Sequence, residues 1–101
     1  MNNEEKKELV RLACEGYIYE SEGKNFIRFA EDTFAEECGH YYSIMEELNK
    51  MAMEYFKNKG YEICKQGECF GNGQGRIEQV NAETAFIAIK KNEFYKENEE
   101  E

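Results

Sequence analysis

The feature that most limits how this chain folds is an apolar stripe at helical spacing between Glu31 and Lys59. Phe34, Cys38, Tyr41, Met45, Leu48, Ala52 and Tyr55 follow one another at alternating steps of four and three. That spacing keeps them on one side of a helix. Asp32, Glu36, Ser43, Glu47, Lys50 and Glu54 fall on the opposite side. A helix with one apolar face has to bury it against another layer, so the rest of the chain must supply that layer. Gly39 interrupts the pattern at a cost of about 1 kcal/mol relative to Ala and marks a kink or a break. Gly60 is placed to cap the end.

The flanking segments read as the partners of this helix. Glu4 to Cys14 predicts a short helix with Leu9, Val10, Leu12 and Ala13 on one face and Gly16 as its stop. Tyr17-Ile18-Tyr19 and Phe26-Ile27-Arg28-Phe29 bracket a polar, glycine-containing stretch, the pattern of a hairpin. After Gly60 the period changes. Tyr61 to Lys65, Arg76 to Val80 and Thr84 to Ile89 predict strands, with Asn81-Ala82-Glu83 as the tight connection between the last two and Gln66 to Gly75 as a longer loop. The expected architecture is α+β: an N-terminal helix and β-hairpin, then one long amphipathic helix packed on a small antiparallel sheet, a C-terminal three-stranded meander. Residues 1–91 are expected to form a single domain and 92–101 an acidic tail, in which Phe94 and Tyr95 offer a docking point before the end frays. With 41% hydrophobic and 14% aromatic residues in 101, the chain can build one core without disulfide staples.

The chain has 22 acidic against 13 basic side chains, a formal charge of −9. A field of that sign repels phosphate backbones and anionic membranes, and it favours a basic protein as partner. Met1 to Glu8 is polar and charged, unlike a secretory leader. No run approaches the roughly 20 apolar residues of a membrane-spanning helix. The expected setting is cytoplasmic, where thiols stay reduced.

Among candidate chemistries, Cys38, His40, Cys64 and Cys69 form a possible zinc set of three thiolates and one imidazole, and zinc would be the cofactor of a small metal-stabilised module. Cys64 and Cys69 have the spacing of half a site. Cys38 and His40, two apart within a helical pattern, diverge by about 200°. The alternative is that Cys38 and Cys64 are core residues, since free cysteine is among the most buried types. As a redox pair, Cys64 and Cys69 are wider than Cys-x-x-Cys and lack its helix N-terminus. The loop containing Gly71, Gly73 and Gly75 resembles a phosphate cradle only in its glycines. A strand follows it, where a phosphate loop would lead into a helix, so it reads as a hairpin loop available to a partner. His40 is the only histidine. The adjacent acids Glu36-Glu37 and Glu46-Glu47 point about 100° apart on a helix and do not form a catalytic dyad. No enzyme is expected.

The remaining candidate is the acidic surface. Asp32, Glu36, Glu47 and Glu54 would line one helical face, widened by Glu31, Glu37 and Glu46 and followed by the acids of the tail. Such a row imitates the charge of a nucleic acid, although it also reads as a plain solubilising face. In size, acidity and lack of a catalytic motif, the chain resembles as a class the small inhibitors that phages carry against restriction or CRISPR nucleases. Immunity proteins against basic nuclease toxins share the same likeness, which is one of composition. It implies a non-enzymatic inhibitor that blocks a basic, nucleic-acid-binding surface of a partner, with Asp32, Glu36, Glu47 and Glu54 supplying charge and Gly71, Gly73 and Gly75 supplying shape. A homo-oligomer packed through the aromatic stripe is the third reading.

Overall fold

The fold was read from a computed structural model, which describes residues 2–22, 26–35, 42–71, 77–90 and 95–96. Helix α1 runs from Asn3 to Glu20. Its start is fixed by a capping box, in which the Asn2 side chain accepts from the Glu5 amide at 2.8 Å and the Glu5 carboxylate accepts from the Asn2 amide at 3.0 Å. Gly16 does not stop it. Val10, Cys14, Tyr17 and Ile18 continue one helical face, and Val10 and Cys14 are buried. Tyr17-Ile18-Tyr19 therefore belongs to the helix and not to a hairpin strand, because its apolar residues are in phase with those before it.

Strand β1 (Phe26–Ala30) pairs antiparallel with β5 (Thr84–Lys90), far along the chain. The turn after β1 is held to the sheet by the Glu31 amide, which donates to the Glu83 carbonyl at 3.1 Å. Thr33 closes that turn by bonding back to the Ala30 carbonyl. Phe34 is thus buried from a turn rather than from a helix. Helix α2 covers Tyr42–Asn58. Met45, Leu48, Ala52 and Phe56 form its buried stripe, with Tyr55 half-buried at the border with α1. Gly60, at φ 98°, ends it as expected. Residues 36–41, which carry Gly39 and the expected break, lie outside the described residues.

Strand β2 (Tyr61–Lys65) pairs directly with β5, so the main sheet has the order β1-β5-β2, antiparallel throughout. The expected meander is replaced by two sheets. Strand β3 (Cys69–Gly71) lies within the segment expected to be loop, and it pairs with β4 (Ile77–Gln79) and with β6 (Tyr95–Lys96). The reason is the composition of β5. Phe86 and Ala88 pack toward the helices, while Ile87 and Ile89 pack on the other side with Cys64, Phe70 and Val80. A strand apolar on both faces needs cover on both, and β3 with its neighbours supplies the second layer. The α+β class stands. The helices α1 and α2 form one layer, the β1-β5-β2 sheet the middle, and the small sheet the third.

Phe86 holds the middle together. Its ring stacks on Phe29 at 4.7 Å and meets Phe56 edge-on at 5.8 Å. Phe86→Ala is expected to lower unfolding free energy by about 3–5 kcal/mol. Gly16 behaves in the opposite way, since a Cβ there would meet nothing within 4 Å. Gly16→Ala is expected to raise stability by about 0.5–1 kcal/mol. Urea unfolding of both variants checks the two directions.

Candidate binding groove

The site is built where three connections meet. Asn81 folds the β4–β5 turn by accepting, through Oδ1, from the Glu83 amide and the Thr84 hydroxyl, each at 3.0 Å. Arg28 donates to the same Thr84 hydroxyl at 3.0 Å. The Gln66 amide, from the turn after β2, donates to the Ala82 and Thr84 carbonyls at 3.0 and 2.9 Å. With the Glu31–Glu83 backbone bond, these contacts lock the three turns to one another.

Beside them lies a groove of about 540 Å³ between α2 and the sheet, floored in part by Met45 and Met53. It shares Met45 and Glu31 with an adjoining concavity of about 550 Å³. Glu31 and Glu46 line the first, and Glu31, Asp32 and Glu83 line the second. Among the described residues none of these carboxylates forms an ion pair or side-chain hydrogen bond. Lys50 and Lys65 also reach the groove. Asn49 contributes a buried Oδ1 that has no hydrogen-bond partner among the described residues. Among the described residues no three His, Cys, Asp or Glu side chains come close enough to hold a metal ion. The carboxylates are spread around the two concavities.

Three acids outside the groove are engaged within the fold. Glu47 is bound by Lys6 of α1 at 3.1 Å. Arg11 donates to Glu8 at 2.7 Å and holds its carboxyl below the usual range. Glu15 accepts from the Tyr55 hydroxyl and lies 3.3 Å from Lys59. The Tyr55 contact first, then Lys59, lowers the Glu15 pKa, and both partners are raised in return. The Lys6–Glu47 and Glu15–Tyr55–Lys59 contacts stitch the rim between α1 and α2, whereas Glu8–Arg11 lies within α1, and surface pairs of this kind contribute little each to stability.

The expected site residues are thus separated. Asp32 lines the groove from a turn, Glu47 is tied to α1, and Glu54 is exposed on α2. Gly71 is buried in β3. Glu36, Gly73 and Gly75 lie outside the described residues. The single helical row is not formed, because Asp32 precedes the helix and is fixed near the sheet. Glu83, Met45 and Asn49 were not singled out as site residues by sequence. Met45 carries a core signal, and Glu83 reaches the groove only through the pairing of its turn with Glu31.

Of the expected zinc ligands, Cys38 and His40 also lie outside the described residues. Cys64 is buried among Phe70, Val80, Ile87 and Ile89, and its thiol donates to the Cys69 carbonyl at 3.5 Å. Cys69 is half-buried, and Cys14 and Cys69 carry free thiols. Comparison with protein-family models, with curated proteins and with solved structures gives no match.

Cys14 sits in the main core, and burial first, then the charge of Glu15, pushes its thiol up from 9.0 to about 12. It is protonated and enclosed at neutral pH, which disqualifies it as a nucleophile. The raised value gives a sign. The contribution of Cys14 to stability is complete below pH 9.0 and is lost as pH rises toward about 12. Urea midpoints measured upward from pH 8 should fall more steeply for the parent protein than for Cys14→Ala, which lacks the titrating group.

Proposed function

We propose that this chain is a non-enzymatic binding protein that occupies a basic, nucleic-acid-binding surface of a partner protein in the cytoplasm. The groove bounded by Glu31, Asp32, Glu46 and Glu83 is its working surface. The observation that carries this reading is that four carboxylates on three neighbouring segments line two adjoining concavities and, among the described residues, form no ion pair or side-chain hydrogen bond, whereas Glu8, Glu15 and Glu47 are paired.

Unpaired carboxylates on fixed turns keep a negative field directed outward, and such a field speeds the encounter with a basic surface. Because the turns are cross-bonded, little ordering is required at the moment of binding. The Met45 and Met53 side chains offer adaptable apolar contact to the methylene stems of Lys or Arg. The Asn49 oxygen offers an acceptor to an N–H donor. No helix among the described residues is long and apolar enough to cross a membrane, which is compatible with this setting.

The test is the association rate with a peptide of alternating Arg and Gly, followed across a salt series. Glu31→Lys with Glu83→Lys should slow association by about tenfold or more at low salt, and the difference should shrink as salt screens the charges. Glu54→Lys with Glu62→Lys makes the same change in net charge away from the groove and should have a much smaller effect. Equal slowing by both pairs would mean that net charge alone acts, and the groove assignment would fall.

A further inference from the structure

Two residues of the groove carry the wrong sign for a purely basic partner. Lys50 and Lys65 line the same groove of about 540 Å³ as Glu31 and Glu46. Both lysines are exposed, and among the described residues neither side chain forms an ion pair or hydrogen bond. Lys50 follows Glu46 by four residues on α2, the order and spacing in which a helix favours a pair, yet no pair forms between them. A segment that brought only Arg or Lys along this groove would set like charge against like, which opposes binding.

The topology places the two signs on opposite sides. Glu31 follows β1, Lys65 ends β2, and β5 runs between those strands. Two strand spacings separate them, about 10 Å from backbone to backbone. On the Glu31 side the groove adjoins the second concavity, where Asp32 and Glu83 extend the acid and no lysine or arginine is among the described lining. Met45 and Met53 give both sides an apolar floor for side-chain stems. Asn49 stands between Glu46 and Lys50 along α2 and keeps an amide oxygen that the described fold leaves unpaired.

An occupant that answers both signs carries a base and an acid. In an extended chain, residues two apart project to the same side with about 7 Å between them. From such a pair, one side chain reaches toward Glu31 while the other meets the long, flexible lysines. Arginine suits the acidic side, because its planar fork donates to several acceptors at once. We propose that the groove selects an extended partner segment in which an arginine and a glutamate or aspartate stand two residues apart, with the arginine toward Glu31 and the acid toward Lys50 and Lys65. This selectivity rests on the proposed function, since it describes the segment that the same groove receives.

The experiment is a set of affinities for labelled, glycine-flanked peptides at physiological salt, read by fluorescence anisotropy. Arg-Ala-Glu should bind about three- to fivefold more tightly than Arg-Ala-Gln and more tightly than Arg-Ala-Arg. Arg-Glu-Ala, whose acid projects to the other side, should lose that gain. Lys50→Gln with Lys65→Gln breaks no ion pair of the described fold, so its urea midpoint should stay level while the preference for Glu over Gln disappears. Glu31→Lys with Glu83→Lys should weaken every arginine peptide. Tightest binding by Arg-Ala-Arg, with no preference for Glu in the parent protein, would overturn the selectivity and leave the proposed function standing. A preference for Glu that persists in the lysine variant would put the acid elsewhere and overturn it as well. No binding by any peptide, or binding indifferent to Glu31→Lys with Glu83→Lys, would remove the groove and both readings with it.

Discussion

The structure depends on β5 being buried on both faces. Phe86 stacks against Phe29 on the helix side, while Ile87 and Ile89 pack with Phe70 and Val80 on the other. From Phe86 to Ile89 the strand is fully buried, so its neighbours must supply two apolar layers and a paired strand at each edge. Helices α1 and α2 give the first layer, and the small sheet gives the second. Strands β1 and β2 satisfy the backbone of β5 on either side. Each of these elements is where it is because β5 has no exposed face.

The same constraint places the groove. The start of β5 fixes Thr84, and Asn81, Arg28 and Gln66 all reach Thr84 or its turn. Glu83 is carried to the edge of the sheet by that turn, and its carbonyl receives the Glu31 amide from the end of β1. Unpaired carboxylates are thus held on a cross-bonded support, while the acids of the helix rim are neutralised by Lys6, Arg11 and Lys59. Charge that is concentrated on a rigid edge acts on a partner more selectively than the same charge distributed over the surface.

Local patterns in the sequence were sufficient for elements whose reasons are local. The Met45–Leu48–Ala52 stripe, the Gly60 cap and the strand at Tyr61–Lys65 follow from spacing and turn chemistry. The extent of α1 was also present in the chain, since Val10, Cys14 and Tyr17 keep helical phase past Gly16, but a glycine and a β-favouring Tyr-Ile-Tyr triplet obscured it. The unbroken apolar run Ala85 to Ile89 carried the signature of a strand covered on both sides, and with it the need for a further layer. Strand β3 was hidden because Cys69–Gly71 is too short and too rich in turn residues to display a period. Glu31, Asp32 and Glu46 were visible as acids, whereas Glu83 joined them only through long-range pairing, which no local pattern encodes.

The central claim is that a groove pre-formed on the end of β5 receives a basic segment. Amide hydrogen exchange, with and without a saturating Arg–Gly peptide, tests it most directly. Phe86 to Ile89 should be the slowest amides in both states, reporting the doubly covered strand. Added protection on binding should fall on residues 31–33, 45–50 and 82–85, with little change elsewhere. Protection distributed evenly over the acidic surface, or β5 amides exchanging as fast as the helix ends, would contradict the account.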